Sequence, residues 1–174
     1  MKTNKLLITV AFIAISLQAC KKENENYQMD DQSFVTQASS SNNFEIQAGG
    51  IAMLKGKSDA VKHYGEHMVS DHTLVGNEMK SLAASKGWTV PVALQEKEQS
   101  NLNLLTNADA ATFDRDFMRI MVASHQDAVT LFSNAGSDTG VYDADLRAFA
   151  AGKLPSLQAH LDQAITLQSQ VNGN

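Results

Sequence analysis

Apolar residues along this chain recur in steps of three and four, the spacing that lines up one face of an α-helix. One such stripe runs through Val61, Gly65, Met68, His72, Val75, Met79 and Leu82. A second takes in Asp114, Met118, Met121, His125, Ala128, Phe132 and Ala135, and a third Leu146, Ala150, Lys153, Leu157, His160, Ala164, Leu167 and Val171. Phe34, Ala38, Ser41, Glu45, Ala48 and Ala52 make a looser fourth stripe nearer the N-terminus.

Turn and cap residues cut this pattern into five helices. The first runs from about Ser33 to Lys55, stopped by Gly56, with Ser58 as the next N-cap; the second runs from about Asp59 to Lys86 and stops at Gly87. Pro91, at the first helical position that proline favours, opens a short third helix to about Asn107. The fourth covers about Asp109 to Ala135. The last covers about Tyr142 to Val171, where Pro155 has no N–H to donate and predicts a kink or a break near Lys153. Four long helices and a short crossover predict an all-α, up-down four-helix bundle over residues 33–172.

Two of the helices repeat a phrase. Tyr64, Met68, Val69 and His72 have the same spacing as Phe117, Met121, Val122 and His125, so the chain reads as two related hairpins that turn a histidine inward at equivalent places. Helix lengths set the heights at which inward residues meet. Glu45 lies roughly 18 Å before the first turn and His72 roughly 22 Å after it, at about 1.5 Å per residue. His125 and His160 come out at roughly 20 and 27 Å on either side of the second long turn. One polar residue per helix, all near mid-height, is the arrangement a metal site in a bundle core requires.

Three neutral imidazoles and a carboxylate suit copper, zinc or iron, and the thioethers of Met68 and Met121, one turn from His72 and His125, would tilt the choice toward copper(I). Against this stands a plainer reading, in which the same histidines are buried, hydrogen-bonded core residues and the methionines are packing. Asp71 and Asp127 could orient His72 and His125 only by contacts across helices. His63, Glu66 and His67 fall off the stripe and read as a solvated face. Asp114, Arg115 and Asp116 suit a helix start, and Trp88 suits a loop packed on the bundle end.

Composition narrows the remaining classes. Of 174 residues only two are proline, and Ala, Leu and Gln are frequent, as helices prefer. The formal charge is -5, with no basic stripe, which excludes a nucleic-acid partner. Lys2 and Lys5, the apolar run from Leu6 to Leu17 and Leu17-Gln18-Ala19-Cys20 resemble a bacterial lipoprotein signal over residues 1–19, with Cys20 the lipidated residue. The run is shorter than the roughly 20 apolar residues of a membrane span. Residues 20–32 are polar and read as a tether to a membrane, placing the domain in the cell envelope, at the outer membrane. No protein partner is legible. No GxSxG, Walker loop, HExxH or dinucleotide glycine pattern occurs, so an enzyme is the least supported class.

The residues Glu45, Ile51-Ala52, Ser58, Val61-Lys62, Met68-Val69-Ser70-Asp71-His72, Pro91, Phe113-Asp114, Met121-Val122-Ala123-Ser124-His125 and Leu154-Pro155-Ser156-Leu157 with His160 resemble, in that order, the domain of unknown function 4142 family. The resemblance spans about Ser33 to Val171 and implies a ferritin-like helical bundle, often secreted or lipid-anchored, with no settled activity. Ferritin-like di-iron proteins carry Glu-x-x-His on two helices. No Glu-x-x-His occurs in this chain, which points away from a carboxylate-bridged di-iron centre and toward a mononuclear histidine site or an envelope module without metal.

Overall fold

A computed structural model describes residues 28–173. The expected signal segment 1–19, Cys20 and the tether up to residue 27 lie outside the described residues. Among the described residues the chain is all-helical: α1 (Asp31–Lys55), α2 (Asp59–Lys86), α3 (Glu96–Asn107), α4 (Phe113–Ala135) and α5 (Ala144–Asn172). Packing pairs α1 with α2 and α4 with α5, brings α1 against α4, and lays α3 over α1 and α4.

Local chemistry sets the helix ends. Asp30 caps α1 by accepting from the Ser33 N–H, so the helix begins two residues before the predicted Ser33. Gly87 ends α2 in the left-handed conformation that glycine tolerates. Asp114, at the start of α4, accepts from the N–H groups of Lys57 and Ser58 at 2.9 and 2.8 Å and so holds the α1–α2 turn. Lys55 donates to the carbonyls of Leu105, Thr106 and Ala108 at the end of α3. Trp88 is partly buried against the bundle end.

Three helix limits differ from expectation. Pro91 does not open a helix; the segment before α3 is extended and pinned to α1 by side chains. Asn43 donates to the carbonyls of Pro91 and Val92, Gln32 exchanges two bonds with Thr89, and Ser40 Oγ accepts from Gln95 N–H. These bonds satisfy backbone groups that a helix would otherwise satisfy internally, and α3 starts only at Glu96. α4 starts at Phe113 because the Asp109 carboxylate accepts from the Ala111 N–H and makes a turn there. α5 runs unbroken through Pro155, which is exposed, so solvent reaches the backbone that the missing N–H leaves unpaired.

The core is divided. One apolar cluster contains Phe44, Ala48, Tyr64, Met68, Phe117, Met121 and Ala164; the other contains Phe34, Ala38, Met79, Ala128, Phe132 and Leu157. In each long helix the chain crosses from one cluster to the other through polar residues: Asn42 and Glu45 in α1, His72 in α2, Ser124 and His125 in α4, and His160 in α5. All six are buried. A polar layer thus separates two dry halves.

Candidate metal centre

Burying a polar layer is costly unless its hydrogen bonds are made, so each member's partners decide what the layer is for. His72 turns Nδ1 to Asn42 Oδ1 at 3.1 Å. His125 turns Nδ1 to the carbonyl of Met121, one turn back in its own helix, at 3.0 Å. His160 turns Nε2 to Asp71 Oδ2 on α2 at 3.0 Å. Each ring therefore spends its one N–H on an oxygen acceptor, which leaves the other nitrogen with a lone pair. Those other nitrogens, Nε2 of His72, Nε2 of His125 and Nδ1 of His160, are buried without a protein partner.

The three rings face one another, with centroids 5.5 to 5.9 Å apart. One nitrogen from each can be chosen so that all three lie within 4.8 Å of one another. A point no more than about 2.8 Å from every one of them then exists (4.8/√3), against about 2.0 Å for a zinc–imidazole bond, so each nitrogen has to move inward by less than about 1 Å. A cavity of about 30 Å³ adjoins the rings, enough for an ion and a water but for no organic substrate. Asn42, Glu45, Asp71, Lys153, Ser156 and Leu157 complete much of its wall. Asp71 and Lys153 are partly exposed, and the Lys153 ammonium pairs with Glu78, so the side of the cavity next to His160 faces solvent.

Glu45 borders the cavity but stays outside the 4.8 Å set. Its Oε1 accepts from Ser124 Oγ and lies 3.8 Å from His125 Nδ1, the nitrogen turned away from the other rings, while Oε2 has no partner. Met68 and Met121 are fully buried in the apolar cluster below the layer and do not line the cavity. The two expected orienting acids part company: Asp71 holds His160 and not His72, and Asp127 pairs with Lys97 at the surface. Asn42 and Ser124 are the two members of the layer that lie off the apolar stripes. The repeat carried a signal for one of them, since Ser124 precedes His125 as Asp71 precedes His72, and each reaches a candidate ligand on another helix. Asn42 lies three residues before Glu45, on the same side of α1.

Residues 17–167 match the model of a domain of unknown function, DUF4142. The chain belongs to this family. The DUF4142 chain also shares its fold with solved structures of CopM. CopM in the Cu(II)-bound form is 23% identical, covering 82% of this chain and 98% of that chain with a TM-score of 0.69. The Cu(I)-bound form gives 24% and 0.68 over the same shares, and the Ag-bound form 24% and 0.66. No curated protein sequence matches this DUF4142 chain.

Electrostatics in the DUF4142 core keep the imidazoles neutral. Burial, with the neighbouring rings His125 and His160 adding to it, holds His72 well below the usual histidine range. Burial pushes His125 down to about 4. It also lowers His160, although Asp71 pulls the other way. Burial raises Glu45 to about 7, partly offset by the Ser124 hydroxyl. For the metal-free protein the signs oppose. Falling pH protonates the unfolded histidines before the folded ones, which costs stability, whereas folded Glu45 takes up a proton before unfolded Glu45, which adds it. The Glu45 and His125 shifts are of similar size and offset each other. His72 and His160 decide the balance, so stability falls as pH drops from about 6.5 toward 4. Urea midpoints at pH 7.5 and pH 5 measure this; a higher midpoint at pH 5 would contradict it.

Proposed function

We propose that this protein binds a transition metal, copper above all, in the bundle core through His72, His125 and His160. The observation that carries this reading is three buried histidines on one cavity, each with a ring nitrogen that has no protein partner, and with one nitrogen from each ring within 4.8 Å of the others. A buried lone pair without a partner costs stability, and a bound cation would remove that cost at all three nitrogens at once. Asn42, the Met121 carbonyl and Asp71 would orient the ligating rings and raise their basicity. Three imidazoles with no carboxylate among them suit copper or zinc far better than magnesium or calcium, and divalent affinities peak at copper. The bundle shared with the copper- and silver-bound forms of CopM favours copper among these. Bound there, copper would be held among buried imidazoles, with the side next to His160 as its route in and out, which suits buffering or storage.

A purely packed histidine layer is the competing reading. Its expected mark is an imidazole satisfied at both nitrogens or turned away from its neighbours, and none of the three fits that description. Cys20 and the segment before it support a lipid-anchored protein of the cell envelope, with the bundle tethered by residues 20–32.

Elemental analysis of the purified full chain, beside a His72→Ala/His125→Ala double variant with unchanged helical circular dichroism, tests the metal site. The native chain should carry one more equivalent of metal than the variant. Equal content in both removes the proposal.

A further inference from the structure

Asp59, His63 and His67 follow one another at four-residue steps on the exposed face of α2, and the next step reaches Asp71, half-buried at the edge of the core cavity. Glu66 sits beside them. We propose that His63 and His67, with Glu66 orienting the His63 ring, form a second, solvent-exposed metal site for a borderline divalent cation such as Cu²⁺ or Zn²⁺.

Helix geometry provides the chelate. Side chains at i and i+4 have Cβ atoms about 5–6 Å apart, so two imidazoles one turn apart can reach a single ion from the same side of the helix. The run His63-Tyr64-Gly65-Glu66-His67 has the His-x-x-Glu-His spacing by which a helix presents two histidines to zinc with a glutamate between them. Tyr64 and Gly65, the two residues between, face the core and do not obstruct the outer surface. His63, Glu66 and His67 are all exposed. His63 Nδ1 lies 3.4 Å from Glu66 Oε2, which leaves Nε2 free and sets a carboxylate behind the ring that would bind the ion. Lys62, the nearest cation in sequence, is paired with Asp59 at 3.7 Å, which reduces its repulsion of an incoming ion. Solvent waters can fill the remaining coordination positions.

The site is separate from the core centre. His67 stands one turn, about 6 Å of helix rise, before Asp71, whose carboxylate holds His160 at the solvent-facing side of the core cavity. A cation held by His63 and His67 therefore sits on the surface that leads to that side.

Titration of the metal-free full chain with copper(II) sulfate, followed by nitrogen hyperfine structure in electron paramagnetic resonance and by equilibrium dialysis, tests the assignment. A His63→Ala/His67→Ala variant should lose one equivalent relative to native while keeping its helical signal and urea midpoint, since neither side chain is buried. The His72→Ala/His125→Ala variant should retain that equivalent, so failure of the core site and failure of this one are read separately. Native stoichiometry in the His63→Ala/His67→Ala variant overturns the proposal.

Discussion

Replacing His125 by Phe is expected to abolish metal binding in the core while leaving the metal-free protein as stable as native or more so. His125 Nε2 is buried with no partner, and stripping a polar group of water without replacing its bond costs about 1–3 kcal/mol. Phenylalanine removes that cost. It also orphans little in return, because the Met121 carbonyl that His125 Nδ1 contacts belongs to the backbone ladder of α4 and keeps its helical partner. The larger ring has the adjoining cavity of about 30 Å³ to enter, and it keeps the edge-on contacts with Tyr64 and His72. The metal-free variant should therefore unfold at an equal or higher urea concentration, by up to about 2 kcal/mol. Added copper should stabilise the native chain more than the variant, since a ligand at a hundredfold excess over its Kd contributes about 2.7 kcal/mol. A histidine kept for structure alone predicts the reverse, a clear loss of stability without metal and the same response to copper in both proteins.

Substituting Gly65 by Val should destabilise the fold by about 3 kcal/mol or more. At this point α1 and α2 touch backbone to backbone. A Cβ on Gly65 would meet the Gly49 carbonyl oxygen at 2.7 Å and the Ala52 Cβ at 2.9 Å, and a Cβ on Gly49 would meet the Gly65 oxygen at 2.5 Å. These atoms belong to backbone or to a side chain without rotamers, so neither can swing aside, and the helices must separate. Separation would loosen the packing of Ala48, Ala52, Val61 and Met68, all fully buried, and shift Asn42 on α1 relative to His72 on α2. Gly50 is the control. A Cβ there meets nothing within 4 Å, so Gly50→Ala should gain up to about 1 kcal/mol from helix propensity. Chemical denaturation of both variants reads the contrast, and a Gly65→Val protein as stable as Gly50→Ala would refute the close approach.

Much of this was legible along the chain, for reasons that can be traced to particular residues. The stripes that predicted helices match the buried faces: Val61, Met68, His72 and Met79 in α2, and Met118, Met121, His125, Ala128 and Phe132 in α4, are all buried. The three histidines share a level because helix rise per residue is constant, so counting residues from a turn measures height. The limits at Pro91, Asp109 and Pro155 were less legible, because each depends on what lies nearby in space. Asn43 and Gln32 on α1 hold the segment after α2 out of a helix, a carboxylate makes a turn before α4, and solvent lets α5 continue past its proline.

Periodicity and helix rise are properties of the chain alone, and they determined an all-α bundle with one polar residue of each long helix drawn to its middle. The direction in which each of those residues points was decided only by tertiary structure. Register placed Asn42, and not Glu45, against His72; it turned Glu45 to Ser124; it set Met68 and Met121 into dry packing; and it gave Asp71 to His160. A hydrogen bond is short and directional, so a shift of a single residue along a neighbouring helix changes which atoms can make it. Which nitrogens remain buried and unpartnered, and therefore available to a metal, follows from those choices.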